Sequence, residues 1–190
     1  MKWMVLAIAL SCAAPLIACA DEDGSAVLTD EDRAFVEQVV ALQRAGDWDG
    51  LEALVGFTEQ PCHPDAPDDP SPPCRDGEAE GTPVDAFFHG FCHSAFVRPA
   101  PDERLIRENA GITTRGADFY GVLRGRTATW LGADYEVVFV YEDTSGRGVV
   151  DGYWYTVREH RIVAESRSCG SLAGSIGSDP EFLLEADDAD

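Results

Sequence analysis

Lysine is almost absent from this chain of 190 residues. Of its 14 basic side chains one is a lysine, Lys2, and together they face 35 carboxylates, so the formal net charge is −21. Nucleic-acid binding needs a basic face that displaces counterions from phosphates, and this composition excludes it. The same charge excludes electrostatic docking on anionic lipid headgroups. We interpret the acidity as that of a solvated surface.

Sequence motifs for common catalytic and cofactor sites are also missing. The chain has no C-x-x-C pair, which haem attachment and thiol redox chemistry both need. It has no G-x-S-x-G nucleophile motif. Gly146 and Gly148 join two predicted strands and open no helix, so they do not form a phosphate loop. The sequence therefore predicts no catalytic residue and no cofactor.

A long hydrophobic run is missing too, but a shorter one lies at the start of the chain. Lys2 precedes an uncharged run from Trp3 to Ala18, and an acidic stretch follows from residue 21. The run is shorter than the roughly 18 to 20 residues that a bilayer span needs. We interpret residues 1–18 as a signal peptide.

The end of this signal, Leu16-Ile17-Ala18-Cys19, resembles a bacterial lipobox. The resemblance implies that Cys19 is acylated and begins the mature protein, with an acidic tether over residues 19–28. Several acyl chains would form a stable membrane anchor. Ala20 after the cysteine resembles lipoproteins of the outer membrane, if the cell has one. Ala18-Cys19-Ala20 also fits ordinary cleavage, which would release a soluble protein.

The remaining chain, about 170 residues, is long enough for one core, and we predict a single α+β domain over residues 29–170. Thr29 is expected to cap a first helix that ends at Gly46, and Asp47 to cap a second. The last third shows the alternation of β-strands. Glu159 and His160 occupy a tight hairpin that requires positive φ, and we predict that His160 is a turn residue without a chemical role.

Beyond this domain, residues 171–190 are expected to form an acidic C-terminal tail with a turn over residues 180–185. Within the domain at 29–170, a proline-rich loop at 58–83 follows the two helices. Removal of the signal and acylation of Cys19 leave four cysteines, which permit three disulfide connectivities. We expect the pairs Cys62–Cys74 and Cys92–Cys169. A bond across the proline loop would stabilise the fold by roughly 3 kcal/mol.

The segment from Thr82 to His93 fits either a helix or a buried strand. In a helix, Asp85, His89 and His93 would share one face within reach of a Zn²⁺ or Cu²⁺ ion. In a strand, successive members would lie roughly 13 Å apart and could not share a metal. We expect histidines at the surface or rim beside a structural cysteine, and no metal.

Two resemblances bear on the fold. Two helices joined by Gly46-Asp47-Trp48-Asp49, and a final β-meander over residues 135–165, resemble the NTF2-like (SnoaL-type) α+β proteins. That resemblance implies N-terminal helices packed on a curved antiparallel sheet, a cystatin-like cone. The run from Cys74 to Val84, of the form C-R-x-G-E-A-E-G-T-x-V, resembles a group of uncharacterised secreted bacterial proteins. In those proteins the residues after the Thr are a strand, and no activity is implied.

A cone could hold an acid–base pair in its pocket, but we expect the polar residues of the strands to face outward and the aromatic ones to form core. The predicted function is therefore that of a lipid-anchored envelope protein with a non-catalytic binding or structural role. The alternative is a small NTF2-like enzyme or hydrophobic-ligand carrier that uses the cone. The possible pocket residues are Asp85, His93, Asp118, Tyr120 and Glu136, and the aromatic ones are Tyr135, Tyr141, Tyr153, Trp154 and Tyr155.

Overall fold

A computed structural model describes residues 27–64, 70–90, 94–100, 104–106, 117–142, 150–168, 172–176 and 180–186. The predictions for the signal at 1–18, for Cys19, for His93 and for the pair Cys92–Cys169 lie outside these residues. Within them, no helix combines the length and the apolar character that a membrane span requires.

The two N-terminal helices have the predicted caps. Helix α1 spans Asp30–Ala45, with Thr29 and Asp32 in a capping box and Gly46 left-handed at φ 65°. Helix α2 spans Trp48–Glu52, and the Asp47 carboxylate accepts a hydrogen bond from the Gly50 N–H at 2.9 Å. The start of each helix and the joint between them depend on contacts between residues three or four positions apart, which is why the sequence predicts them.

The strands form one mixed sheet, so the α+β class is confirmed. The strands are β1 (Thr58–Pro61), β2 (Pro83–Gly90), β3 (Ala95–Val97), β4 (Asp118–Leu123), β5 (Tyr135–Glu142), β6 (Val150–Arg158), β7 (Arg161–Arg167) and β8 (Phe182–Glu185). Their order in the sheet is β1-β2-β7-β6-β5-β4-β8. Strand β1 pairs with residues 83–86 of β2, and β3 pairs with residues 87–89. Neighbouring strands are antiparallel except β2 and β7, which are parallel.

The prediction of a purely antiparallel sheet is wrong at one strand pair. The β5–β6–β7 meander leaves one edge of β7 open, and β2 pairs with that edge in the same direction. A parallel pair needs a long connection, and strands β3 to β6 lie between these two strands in the sequence. The strand alternative for residues after Thr82 is confirmed, because β2 lies between β1 and β7.

The segment beyond residue 170 also contributes to the fold. Strand β8 pairs with β4, and Leu184 on it is buried. A further helix, α4 (Leu172–Ile176), places Leu172 against Trp154. The predicted turn over 180–185 is therefore wrong, and the expected tail supplies the last strand of the sheet. The apolar residues 182–184 form a strand that pairs with the open edge of β4, which explains the difference.

The main core lies between α1, α2 and one face of the sheet, which we call the α1 face. The largest side chains of this core are almost completely buried, and most of them are aromatic. Tyr153 and Tyr155 pack edge to face, with ring centroids 4.9 Å apart. The prediction that the strand aromatics form core is confirmed for them. The fully buried side chains here include Phe87, Phe139, Tyr153, Tyr155, Leu51 and Ile162.

The opposite face of the sheet is covered by α4 and by a short helix, α3 (Arg126–Leu131). Trp130 on α3 stacks against Phe88 and Phe96, with centroid distances of 5.0 and 5.7 Å. The sheet thus carries helices on both faces, whereas the NTF2-like resemblance implied N-terminal helices on one.

Candidate functional site

The three residues considered for a metal site are not brought together in the described part of the chain. Asp85 and His89 lie on β2, where Asp85 is exposed and His89 is buried. His93 lies outside the described residues. No group of three His, Cys, Asp or Glu side chains among the described residues is placed to hold a metal ion.

His89 belongs instead to a row of polar groups buried on the α1 face. The register of the strands aligns His89 on β2 with Glu165 on β7, and Glu165 with Tyr155 on β6. His89 Nδ1 lies 3.6 Å from Glu165 Oε2, and these residues are 5% and 0% exposed. The expectation of a surface or rim histidine is wrong for His89.

Two tyrosines extend this buried polar row toward α1. The Tyr153 hydroxyl donates to Glu165 Oε1 at 3.0 Å, and the Tyr155 hydroxyl donates to Gln43 Oε1 at 2.8 Å. Burial raises the pKa of both tyrosines far above the usual 10, so each hydroxyl stays protonated and acts as a donor. We define the buried polar row as Gln43, Tyr155, Tyr153, Glu165 and His89.

A histidine beside a carboxylate can carry acid–base chemistry, but the surroundings of this row are tightly packed. Tyr153 and Tyr155 are 1% and 0% exposed, and Phe139 packs against Tyr155 with a centroid distance of 6.1 Å. In the described residues, the row therefore joins β2, β7, β6 and α1 within the core. Sequence reasoning missed it because the signal lies in strand register, although period-two alternation does place Phe87 and His89 on one face.

The polar strand residues proposed for an acid–base pair do not converge either. Asp85 and Asp118 are exposed, while Glu136 is 2% exposed and lies on the face opposite α1. Tyr120 packs on that same opposite face against Phe182. Glu136 accepts a hydrogen bond instead, and its donor lies at the start of a helix.

Glu136, on strand β5, caps the start of helix α3. Its Oε1 accepts a hydrogen bond from the Ala128 N–H at 2.9 Å. Burial raises the pKa of Glu136, and the hydrogen bonds from residues 127 and 128 offset part of that rise. A Cβ at Gly125 would lie 1.6 Å from Glu136 Oε2, so any larger residue there would displace the Glu136 carboxylate. Glu136 thus has a structural role that neither the outward nor the pocket interpretation predicted.

The run from Cys74 to Val84 begins at the predicted disulfide, turns, and enters strand β2 at Pro83. Cys62 and Cys74 are bonded, which confirms that pair. The Glu78 carboxylate accepts hydrogen bonds from both terminal nitrogens of Arg98 and from the Arg75 N–H at 2.7 Å. Gly77 and Gly81 have φ of 87° and 82°, where side chains are disfavoured. Glu78 and the two glycines thus have structural roles in this segment.

An open groove lies where the start of α1 meets the β6–β7 turn and the start of β5. Its volume is about 730 Å³, within the range of roughly 300 to 1,000 Å³ that small-molecule sites occupy. Four of its side chains are carboxylates, and one is a guanidinium. The lining residues are Val27, Thr29, Glu31, Asp32, Arg124, Thr129, Ala133, Asp134, Tyr135, Glu159, His160 and Leu183.

Asp32 is the best-connected carboxylate of the groove. Its Oδ2 accepts hydrogen bonds from the Thr29 N–H at 3.0 Å and the Thr29 hydroxyl at 2.6 Å, and its Oδ1 lies 3.1 Å from His160 Nε2. Partial burial raises the pKa of Asp32, but the bonds from Thr29 and His160 outweigh it and hold the pKa below 3.8. Asp32 is therefore ionised at neutral pH.

Two further carboxylates remain without partners in the described part of the chain. Asp134 accepts a hydrogen bond from the Glu159 N–H at 2.7 Å. The carboxylates of Glu31 and Glu159 have neither a hydrogen bond nor an ion pair with another described residue, and both residues are exposed. Arg124 lies 3.9 Å from Glu181, which does not line the groove. The groove is thus acidic.

Tyr135 contributes a buried hydroxyl to this groove. The residue is 2% exposed, and its buried hydroxyl interacts with the Asp32 carboxylate. Burial, and the charges of Asp32 and Asp134, raise the pKa of this tyrosine well above 10. The hydroxyl is therefore a neutral polar group beside Asp32.

Comparison with known proteins yields no relative: no protein-family model matches the chain, and no curated protein or solved structure shows significant similarity.

Proposed function

We propose that this chain is a lipid-anchored protein of the cell envelope whose folded domain has a binding role rather than a catalytic one. The acidic groove between α1 and the β6–β7 turn is the site at which it binds its ligand. The observation that carries the proposal is the contrast between the two sites. The buried polar row lies among packed aromatic rings, whereas the groove is open and acidic.

The anchoring part of the proposal rests on the Leu16-Ile17-Ala18-Cys19 string alone. Acylation of Cys19 would tether the acidic domain at the membrane through residues 19–28. The bonded Cys62–Cys74 pair supports an oxidising compartment, because disulfides persist outside the reducing cytosol.

The test of the anchor compares Cys19→Ala with Cys12→Ala in the native host. Cys12 lies inside the predicted signal and is the matched control. We expect Cys19→Ala to abolish labelling by an alkyne fatty acid and to release the protein from membranes or stall its processing, while Cys12→Ala behaves as the wild type. A wild-type N-terminus at Asp21, found by mass spectrometry, would overturn the proposal of lipidation.

A second candidate function is that of a small NTF2-like enzyme or hydrophobic-ligand carrier using the α1 face. The pair of His89 and Glu165, with Tyr153 bound to the same carboxylate, is the observation that favours it. Substrate would have to displace packed rings to reach these groups. Binding of an apolar fluorescent probe that is abolished by Glu165→Gln, with the thermal midpoint unchanged, would favour this candidate over the first.

A further inference from the structure

Trp130 presents an aromatic ring to solvent on the face of the sheet opposite α1. The residue is 58% exposed, and the described residues include only two other exposed large hydrophobic side chains, those of Val27 and Phe57. The indole also packs against Phe88 and Phe96, which are both buried. We call Trp130, Phe88 and Phe96 the aromatic patch. One exposed hydrophobic residue is ordinary, so only independent evidence can connect the patch with a partner.

The helix that carries Trp130 is held at both ends. At its start, Glu136 Oε1 accepts a hydrogen bond from the Ala128 N–H at 2.9 Å. At its end, Gly132 is left-handed with a φ of 62°, and its N–H returns to the carbonyl groups of residues 128 and 129. The fold therefore fixes the indole against the two phenylalanines and leaves its remaining surface exposed.

The aromatic patch is built from the parts of the chain that carry no carboxylate. Beyond residue 20, the two longest stretches without Asp or Glu are 86–101 and 119–133, in a chain with 35 acidic residues. The first stretch contains both phenylalanines of the patch, and the second contains Trp130. Tryptophan with few charges around it is typical of surfaces that lie at a membrane–water interface.

The tether reaches the domain beside this patch. Val27 lines the groove together with Thr129, the neighbour of Trp130, and with Ala133. Ala133 in turn packs against the cluster that contains Phe88 and Phe96. The chain from Cys19 to Val27 can span at most roughly 26 to 29 Å. A lipid on Cys19 would thus keep the patch near the bilayer, where a weak contact suffices because tethering raises the effective concentration.

The charge of the neighbouring groove decides which lipid this surface tolerates. Asp134 and Glu159 line the groove at the same end of the domain. Anionic headgroups would repel these carboxylates, and the repulsion acts over about 10 Å at 0.1 M salt. A zwitterionic headgroup carries no net charge and admits the indole without that repulsion.

We propose that the aromatic patch lies against the surface of a zwitterionic bilayer, with the Trp130 ring among the lipid headgroups, so that the anchored domain has a fixed orientation. This proposal rests on the lipid anchor proposed above and goes beyond it. Acyl chains alone would leave the domain free to turn about its tether.

The test is fluorescence quenching of the acylated full chain, reconstituted in vesicles of phosphatidylcholine that carry bromine on the acyl chains close to the headgroup. Trp48, Trp130 and Trp154 remain after removal of the signal, so contact at one of them should quench about a third of the emission. Trp130→Phe keeps an aromatic ring on the patch and should abolish this quenching. Trp48→Phe, the matched control on α2, should leave it in place.

The outcomes separate the lipid contact from the anchor. Protein that is not acylated and does not float with the vesicles would overturn both proposals. Protein that floats with the vesicles but shows no quenching would overturn the contact alone, as would quenching that persists in Trp130→Phe.

The headgroup and the surface density of protein test the choice of partner. Replacing part of the phosphatidylcholine by phosphatidylglycerol should reduce the quenching, and an increase would overturn the zwitterionic surface. A blue shift of Trp130 emission that grows with protein density, without quenching by bromine, would assign the patch to a second copy of the chain and overturn the lipid contact.

Discussion

His160 Nε2 lies 3.1 Å from Asp32 Oδ1 and links the β6–β7 turn to the first turn of α1. The two residues are 128 positions apart in the chain. The imidazole also packs beside Phe35, with ring centroids 5.7 Å apart. The predicted turn is confirmed, since Glu159 and His160 have φ of 50° and 53°. The imidazole therefore has partners beyond the turn, and its lack of a chemical role stays a prediction.

This contact changes the expected effect of His160→Gly. Glycine relieves the left-handed backbone and alone would stabilise by a few tenths to about 1 kcal/mol. Loss of the partly exposed polar contact with Asp32 costs about 0.5 kcal/mol, and loss of the ring contact with Phe35 a similar amount. We therefore expect His160→Gly to stabilise the fold in an Asp32→Asn background but not in the wild type, measured by urea unfolding.

A change of pH provides the control for this comparison of His160→Gly in the two backgrounds. The folded-state pKa of Asp32 is lowered, so its contribution is present above the usual value of 3.8 and is lost as the pH falls through the lower folded value. The difference between the two backgrounds should thus disappear in acid. Equal effects of His160→Gly in both backgrounds at neutral pH would contradict the coupling.

Glu78 should contribute to acid unfolding. Hydrogen bonds from Arg98 and from the Arg75 N–H lower its pKa from 4.5 to about 2. The folded state therefore holds fewer protons between these values, so this stability is complete above pH 4.5 and is lost as the pH falls toward 2. We expect the thermal midpoint to fall less between pH 6 and pH 3 in Glu78→Gln than in the wild type.

Asp76→Asn is the matched control for Glu78, because Asp76 is exposed in the same turn. Its midpoint should follow the wild type over this range. If Glu78→Gln and wild type lose the same stability in acid, the pair of Glu78 and Arg98 does not act as the structure suggests.

Gly125→Ala should destabilise the fold by about 2 to 4 kcal/mol, because the new methyl group would displace the buried Glu136 carboxylate. The φ of Gly125 is −83°, so backbone strain adds nothing. Glu136→Ala removes the obstacle as well as the cap of α3. Chemical unfolding of the double variant should therefore show less than the sum of the two single losses, and additive losses would refute the clash.

Cys92 and Cys169 remain a predicted disulfide. Non-reducing peptide maps should link these two residues in addition to Cys62–Cys74. Cys92→Ser and Cys169→Ser should then lower stability equally, since either change opens the same bond. Alkylation of both thiols in the unreduced protein would show that the second bond is absent.

Local features were predictable from neighbouring residues. The capping box of Thr29 and Asp32, the left-handed Gly46 and the turn at His160 all follow from backbone requirements within a few positions. The Cys62–Cys74 bond belongs to the same group, because a short proline-rich loop brings the two cysteines together.

The site residues were harder to predict, because their roles depend on strands far apart in sequence. His89 was expected at the surface, and its burial beside Glu165 follows from the parallel pairing of β2 with β7. Glu78 meets Arg98 only after β3 folds back on β2. No periodic pattern encodes these partners, because hydrophobic alternation reports which face is buried and says nothing of which strand is adjacent.

By itself, the amino-acid order determined the acidic charge, the helix caps, the tight turn and the strand-forming last third, since each depends on composition or on residues close along the chain. Tertiary structure alone decided that Tyr155 meets Gln43 in the core and that Asp32, Tyr135 and His160 share one groove. Long-range strand pairing and helix packing bring these groups together. The free energy that stabilises this arrangement comes mainly from burial of apolar surface over the whole α1 face.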